Sequence, residues 1–260
     1  MDMRAPTQEP SDEGLLPKHH QVYLVLRQQI RDGVYGAADP LPPEKELSRQ
    51  FGVARITVRR ALERLEREGA IDRQRGRGTF VRPGGAQPHV AASLSGSIEN
   101  LIAMGLRTEV RVIALDYLPA PADVASALGV ARGTVVQRAV RVRAHAGVPF
   151  SHLTTWLPED LGRSFDAEAL RDTPLLVLLD RAGVKARSAE QTITAKLAVP
   201  GVAELLGLQP GEPVLSITRV VSDAEGRAVE FIRGLYRPDT YEHHMSIERV
   251  QQGGRRIWQG

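Results

Sequence analysis

Apolar residues in the first quarter of the chain recur at intervals of three and four positions, the spacing of amphipathic helices. Val22 and Leu26 share one helical face, and Val58, Leu62 and Leu65 share another. Helices are predicted from His20 to Asp32-Gly33, over 43–51 and over Ala54–Glu68. Glycines follow the second and third of these stretches, as is typical of left-handed helix caps. The pattern therefore indicates a bundle of three short helices.

A basic hairpin follows the third helix. Ala70–Arg73 and Gly78–Val81 are short β segments, and the turn 74–77 between them reads Gln-Arg-Gly-Arg. A helix, a helix–turn–helix and then a hairpin make a winged helix–turn–helix, a fold that places its last helix in the major groove of DNA. The first domain is therefore interpreted as a DNA-binding head.

Beyond position 107 the period changes to the alternation of β-strands. Six strands are predicted, at Thr108–Leu118, Thr134–Ala144, Pro149–Leu157, Ala189–Ala198, Pro213–Ser222 and Ala228–Arg237. Helices are predicted at 97–105, 121–128, 173–183 and 200–207. Turn residues between neighbouring strands favour hairpins, so the second domain is predicted to be α+β with a largely antiparallel sheet.

Composition shifts divide the chain into five parts. The predicted boundaries are a disordered tail at 1–17, the winged helix–turn–helix at 18–81, a Pro/Gly-rich linker at 82–92, the second domain at 93–248 and a tail at 249–260. A length of 260 residues agrees with two domains.

Several classes of protein are excluded by what the sequence lacks. It has no cysteine, no apolar run of membrane-spanning length and no secretory signal at its polar start, so a cytoplasmic protein without a membrane partner is expected. No serine-hydrolase, zinc-protease or P-loop motif occurs, and no cofactor or metal is expected. The adjacent pairs His19-His20 and His243-His244 lack the spacing of metal ligands and are interpreted as surface residues.

The net charge of +3 conceals an uneven distribution. Between Lys45 and Arg82 the chain has eleven basic and five acidic residues, a net charge of +6, so the other 222 residues carry −3. Ten of the eleven are Arg, which pairs with phosphate and guanine through two hydrogen bonds. This segregation favours a nucleic-acid-binding module joined to a domain of a different kind.

Candidate DNA contacts lie on the third helix. Arg55 and Arg59 are about 40° apart around its axis and point away from Val58, so they are placed to reach base edges. Arg64 and Arg67 lie further along and are expected to meet phosphate or solvent.

The turn of the wing supplies a second set of candidates. Gly76 and Gly78 permit close approach of the backbone to DNA. Arg75 and Arg77 are placed to enter the minor groove beside the recognition helix.

The stretch LPPEKELSRQFGVARITVRRALERLEREGAIDRQRGRGTFV closely resembles the winged helix–turn–helix of GntR-type bacterial transcription regulators. The resemblance covers about forty contiguous residues. It implies that the operator is contacted by Arg55, Thr57, Arg59 and the wing tip at Gly76, with Glu44 and Lys45 at the start of the second helix. Lys45 stands where many members carry Arg, which removes bidentate geometry from any phosphate contact there.

The second domain resembles the UTRA effector-binding domain of the HutC-like subfamily, which has the chorismate lyase fold. The similarity is carried by Arg141-Val142-Arg143, the hairpin leading to Trp156-Leu157-Pro158, and DAEGRAVEFIRGLY at 223–236. It implies an effector pocket lined by Ser95, Ser97, Arg141, Arg143, Glu230 and Tyr236. Arg141 and Arg143 share one strand face and would favour an anionic ligand, unless they are solvated or pair with neighbouring carboxylates. Leu153 and Gly96-Ser97-Ile98 depart from the members that sense sugar phosphates, and so weaken the transfer of that ligand to this chain.

Together these features predict a dimeric, ligand-responsive transcription regulator, more often a repressor, that binds a palindromic double-stranded operator as a homodimer. Its effector is expected to be a small metabolite. One alternative is a chorismate-lyase-like enzyme fused to a DNA-binding domain. Another is an architectural DNA-binding protein, which would leave the second domain without a role.

Overall fold

The computed structural model describes residues 16–36, 40–74, 76–82, 90–93, 108–244, 248–252 and 255–259. Contacts divide the chain into two compact units, Met1–Gln87 and Pro88–Gly260. The fold class predicted from the sequence, a winged helix–turn–helix followed by an α+β domain with an antiparallel sheet, is confirmed. Residues 1–15 of the predicted tail lie outside the described residues, whereas Pro17 is the N-cap of the first helix.

The first unit contains the three predicted helices. They are α1 (Lys18–Arg31), α2 (Glu44–Phe51) and α3 (Arg55–Arg67). Gly52 ends α2 at φ 62°, a left-handed conformation that a residue with a Cβ adopts at a cost, and the chain then turns directly into α3. The buried faces meet in one core, formed mainly by Val22, Tyr23, Leu26, Leu47, Val58, Leu62, Leu65 and Ile71.

Packing of α1 against α3 corrects two expectations. His20 is buried and stacks on Tyr23, with ring centroids 5.5 Å apart, so its interpretation as a surface residue was wrong. Arg64 places its guanidinium 3.8 Å above the Tyr23 ring and its Nη1 2.7 Å from Nδ1 of His20, so it does not simply meet phosphate or solvent. A helical wheel of α3 alone gives no sign that α1 covers the side on which Arg64 lies.

The wing consists of two antiparallel strands, β1 (Ile71–Gln74) and β2 (Gly78–Val81). Ile71 is fully buried in the helical core, which fixes the root of the hairpin. The backbone N–H of Leu41 donates to the carbonyl of Thr79 over 2.7 Å, so the segment before α2 is tied to the wing. The hairpin tip is thereby held beside the helix–turn–helix.

The second unit is built on a six-stranded sheet. The described strands of the whole unit, six of which form this sheet, are β3 (Val90–Ser93), β4 (Glu109–Pro119), β5 (Val135–His145), β6 (Val148–Pro158), β7 (Ala186–Leu197), β8 (Pro213–Asp223), β9 (Ala228–Tyr236), β10 (Tyr241–His244), β11 (Glu248–Gln252) and β12 (Arg255–Gln259). The large sheet has the order β4-β5-β6-β9-β8-β7, and every neighbouring pair in it is antiparallel. Each predicted strand corresponds to one of these six, with ends shifted by a few residues.

Five short helices in the described part of this unit cover the sheet: α4 (Ala122–Leu128), α5 (Glu159–Gly162), α6 (Ala167–Asp172), α7 (Leu175–Arg181) and α8 (Pro200–Leu206). Consecutive strand residues point to opposite faces. Accordingly Leu157 packs with α5–α7, whereas Trp156 stacks on Phe231 in the cluster that contains α4. Both faces of the sheet are therefore buried near its centre.

Some segments differ from the sequence prediction. Strand β3 overlaps the predicted linker and pairs in parallel with β10, a long-range pairing that no local pattern reveals. Strands β11 and β12 pair antiparallel and, apart from Glu248, lie in the stretch assigned to the C-terminal tail. The helix predicted at 97–105 lies outside the described residues. Nowhere in the described ranges is there a helix with the length and apolarity that a membrane crossing requires.

Candidate DNA interface and ligand pocket

Helix α3 carries the candidate base-reading residues of the first unit. Val58 and Leu65 are fully buried, whereas Arg55 and Arg59 are exposed on the other side, as their spacing predicts. Thr57 is half-buried in the same first turn. The start of α3 therefore presents guanidinium groups to solvent, where they can donate hydrogen bonds to phosphates or base edges.

A cluster of charged side chains joins α2, α3 and the wing. Arg59 donates to Glu44 through Nη2 (3.1 Å to Oε2) and Nε (3.4 Å to Oε1). Arg73 lies 3.8 Å from the same carboxylate and donates to the backbone carbonyl of Arg59. The hydrogen bond that Arg59 donates to Glu44, and then the charge of Glu44, raise the pKa of Arg59, so the carboxylate orients a permanently charged guanidinium.

The remaining candidate contacts lie around this cluster. Lys45 is exposed beside Glu44 at the start of α2. At the wing tip Gly76 and Gly78 have φ values of 78° and 115°, which require glycine, and Arg77 between them is exposed. Arg75 lies outside the described residues. The tip thus combines a bare backbone with a cation, the combination suited to a narrow groove.

A pocket in the second unit lies on the face of the sheet covered by α5–α7. The empty space in and at the mouth of this pocket, including the part open to solvent, is about 490 Å³. The residues that line it are Arg141, Arg143, Leu153, Pro174, Leu175, Leu176, Arg219, Glu230, Ile232 and Tyr236. The structure therefore brings together four of the six residues expected at the effector site, while Ser95 and Ser97 lie outside the described residues.

Four of the ten lining residues are charged, and all four are buried. Arg141, Arg219 and Glu230 are 2%, 8% and 1% exposed, and Arg143 is buried beside them. Arg141 donates to Thr155 over 3.4 Å and Arg219 to Gln191 over 2.8 Å, both neutral acceptors. Within the described residues, no hydrogen-bond partner reaches Nε or Nη1 of Arg141, or Oε2 of Glu230. Buried charges left in this state favour a ligand that completes their hydrogen bonds.

Burial also shifts the protonation equilibria of the pocket. It raises the pKa of Glu230, an effect that the nearby guanidiniums oppose. Burial and, after it, the charge of Arg141 together lower the pKa of Arg143 to about 10. Three cations face one carboxylate, and an anion would relieve the repulsion between the cations.

Six of the ten residues that line the pocket were not among the predicted effector contacts, and Arg219 is the one charged residue of the six. Arg219 lies on β8, between Ile217 and Val221, which point to the same face and are each 1% exposed. That alternation is the signal that would have placed Arg219 inside. Gly234 does not line the pocket, but a Cβ there would lie 2.5 Å from the Tyr236 ring, so only glycine allows that ring its position in the pocket.

In the described part of the chain, no three His, Cys, Asp or Glu side chains converge in a way that would hold a metal ion. The arrangement at the two sites is thus one of hydrogen-bond donors: exposed guanidiniums in the first unit, and buried ones in the second.

Comparison with known proteins agrees with both halves of this description. Residues 18–81 match the model of the bacterial regulatory proteins of the gntR family, and residues 103–242 match the UTRA domain. The transcriptional repressor NagR of Bacillus subtilis (strain 168) is 29% identical over 88% of this chain and 95% of its own length. The repressor PhnF of Mycolicibacterium smegmatis is 35% identical over 85% of this chain and 88% of its own.

A solved structure extends the similarity to three dimensions. The crystal structure of PhnF from Mycobacterium smegmatis superposes with a TM-score of 0.55 at 32% identity, covering 87% of this chain and 99% of that one. The family and these relatives are regulators of transcription, which excludes the fused-enzyme alternative. The chain belongs to the gntR family of bacterial regulatory proteins, carries a UTRA domain, and is a DNA-binding transcription regulator.

Proposed function

We propose that this regulator is a repressor that binds a palindromic operator as a homodimer. A small anionic metabolite in the UTRA pocket changes its affinity for the operator, either lowering or raising it. The observation that carries the proposal is the excess of buried guanidiniums over carboxylates in that pocket. Arg141 is the clearest case, because no described partner reaches its Nε or Nη1 and each desolvated charge raises the free energy of the folded state.

The proposed division of labour in the DNA-binding head follows the exposure of its side chains. Arg55, Thr57 and Arg59 read base edges from the first turn of α3, and Glu44 holds the Arg59 guanidinium in position. Lys45 contacts phosphate. The wing tip enters the adjacent minor groove through Gly76 and its neighbours, which are Arg75, Arg77 and Gly78.

The homodimer and the palindrome are proposed because one DNA-binding head reads too few base pairs to specify an operator. The first turn of one recognition helix reaches only a few base pairs, too few to specify a site in a bacterial genome. Two heads related by two-fold symmetry double the sequence that is read, and they require a palindromic operator.

The ligand is proposed to carry an anionic group for Arg141, Arg143 and Arg219, and a hydroxyl or amine that donates to Glu230. Oε2 of Glu230 supports the second feature, because it is a buried acceptor that no described donor reaches. Leu153, Leu175 and Leu176 line the rest of the cavity and limit the size of the ligand.

Coupling to DNA is proposed to run through the end of the sheet. Tyr236 lines the pocket and stacks on Tyr241, with ring centroids 4.2 Å apart. Tyr241 begins β10, which pairs with β3, the strand that overlaps the end of the predicted linker. A ligand that repositions Tyr236 would therefore act on the segment leading to the DNA-binding head. It can do so only if it binds the two arrangements with different affinity.

The test is a titration of the purified full-length chain against the DNA upstream of its own gene, with and without a panel of small phosphates and carboxylates. The expected result is sequence-specific binding that one class of anion alters severalfold. If no DNA fragment binds in preference to random duplex, operator recognition is wrong. If DNA binds but no anion changes its affinity, the proposed effector class is wrong.

Pocket variants connect that response to named residues. The double variant Arg141→Ala with Arg143→Ala is expected to abolish the anion response while operator binding persists. The matched control is Arg171→Ala with Arg187→Ala, which removes two exposed guanidiniums from the same unit. Loss of operator binding together with the response, in the pocket variant alone, would assign the two residues to folding instead.

A further inference from the structure

An apolar side chain lies at the centre of the basic surface of α3. Ile56 immediately follows Arg55 in the first turn and is 55% exposed. The other apolar side chains of this helix, Val58, Ala61, Leu62 and Leu65, are all buried in the helical core. Ile56 therefore has no packing role in the DNA-binding head that would explain a large hydrocarbon at this position.

Helical geometry places this side chain directly opposite the core. At about 100° per residue, Ile56 lies about 160–200° from Val58 and Leu65. Arg59 and Arg60, both exposed, flank it at about 60° and 40° on its two sides. When these guanidiniums approach DNA, Ile56 is the side chain that points most directly at whatever α3 faces.

The chemistry of the groove supplies an apolar partner there. The 5-methyl group of thymine is the one hydrocarbon group that a base pair exposes in the major groove. Ile is β-branched, and in a helix it is held in one preferred χ1 rotamer, so its methyl groups are presented in a fixed place. An Arg at this position could bind a phosphate. The Ile56 side chain has no charge and no hydrogen-bonding group, so it binds neither a phosphate nor the polar edge of a base.

We propose that Ile56 contacts the 5-methyl group of a thymine in the operator and sets the preference for thymine at that position. This proposal rests on the proposed placement of α3 in the major groove, and it adds a specificity-determining residue that makes no hydrogen bond. Because the operator is two-fold symmetric, one such thymine is required in each half-site.

The experiment starts by selecting binding sites for the wild-type chain from randomised duplexes. Each thymine of the selected half-site is then replaced in turn by deoxyuridine, which differs only in lacking the 5-methyl group. At one thymine position, replacement in a single half-site is expected to weaken wild-type binding about fourfold, the effect of burying one methyl group. For Ile56→Ala the same replacement is expected to have no effect, while Ile56→Val keeps part of it.

Val25→Ala is the matched control, since it removes another exposed apolar side chain, 43% exposed on α1. It is expected to retain the full wild-type sensitivity to deoxyuridine. Ile56→Ala is expected to fold, because Ala is a stronger helix former than Ile, and circular dichroism verifies this.

The outcomes separate this proposal from the one on which it rests. If the wild-type chain selects no sequence, the operator-binding proposal fails, and the Ile56 contact fails with it. If it selects a sequence but tolerates every deoxyuridine, or if Ile56→Ala loses affinity at the same thymine as strongly as wild type, only the contact with Ile56 is wrong.

Discussion

The two units use arginine in opposite environments. On α3 and the wing the guanidiniums of Arg55, Arg59 and Arg77 are exposed, and Arg59 is held by one carboxylate at its surface. In the pocket Arg141 and Arg219 are buried, and their hydrogen bonds go to neutral acceptors. The same side chain is therefore hydrated and ready to exchange partners in one unit, and desolvated in the other.

Because of this difference in burial, we expect the exposed arginines to bind DNA with little dependence on sequence, and the buried arginines to discriminate between ligands. Hydrated cations gain from DNA mainly by releasing counterions, an effect with little dependence on sequence and a strong dependence on salt. Desolvated cations interact strongly with any anion that fits, because few water molecules screen them, and they reject a neutral molecule that leaves them unsatisfied. Four experiments test whether the contrast in burial determines the salt dependence, the ligand preference and the pH dependence of the two units.

The largest expected effect is that of salt. If each head of a dimer neutralises three to five phosphates, raising salt from about 50 to about 200 mM lowers operator affinity about 1,000- to 100,000-fold. Anion binding in the pocket is expected to fall less than about tenfold over that range, because buried charges are screened far less. Fluorescence anisotropy with labelled operator and calorimetry with the anion measure the two slopes. Equal slopes would mean that burial does not distinguish the two sets of arginines.

Removing single recognition arginines is expected to have the next largest effect. Arg55→Ala or Arg59→Ala should each weaken operator binding by about 1–3 kcal/mol and relax the base preference at one position, while anion binding stays unchanged. Arg59→Ala also leaves only Arg73, 3.8 Å away, to offset the charge of the Glu44 carboxylate, so its effect should be the larger of the two. Competition assays with mutated operators measure the preference. Unchanged affinity in either variant would remove that residue from the interface.

The elements and the faces that carry these arginines could be predicted from the sequence alone, but not all of their neighbours could. The helical period of Val58, Leu62 and Leu65 is local, so it sufficed to place the basic face of α3, and the alternation of each strand sufficed for the six-stranded sheet. The contribution of Arg219 to the pocket was missed, because it depends on which strands are neighbours. Register pairs Arg219 with Ile232 across β8 and β9, and the strand order β6-β9-β8 is not sequential.

The wrong assignments have the same physical origin. His20 and Arg64 look like surface residues when each helix is taken alone, yet they meet across the α1–α3 contact. The parallel pair of β3 with β10 joins residues about 150 positions apart, and no turn signal marks such a pairing. Local period determines the elements and their faces, whereas the identity of the facing element requires the tertiary structure.

A smaller effect is expected from the pH dependence of the buried carboxyl. Burial raises the pKa of Glu230, so between its ordinary value of 4.5 and the raised value the folded chain holds a proton that the unfolded chain has released. The free energy of unfolding therefore falls as the pH rises through this window. The free energy of unfolding of Glu230→Gln does not fall in this way. The difference in Tm between Glu230→Gln and wild type should therefore increase with pH, by about 2–4 °C for each kcal/mol that wild type loses.

The control for that comparison is Glu204→Gln, which removes an exposed carboxylate on α8. Its Tm should follow the wild-type curve at every pH. A constant difference between Glu230→Gln and wild type from acid to neutral pH would show that the Glu230 carboxyl is not shifted by its surroundings.

The smallest expected effect concerns Lys45, the exposed cation at the start of α2. Lys45→Ala should weaken binding to operator and to random duplex by the same factor of a few, because a phosphate contact carries no sequence information. The slope of log affinity against log salt should fall by about 1 for each head. Lys196→Ala, which removes an exposed Lys from β7, should leave the slope unchanged. Loss of affinity for the operator alone would instead make Lys45 a base-reading residue, and the division between hydrated and selective cations would then fail within the DNA-binding head itself.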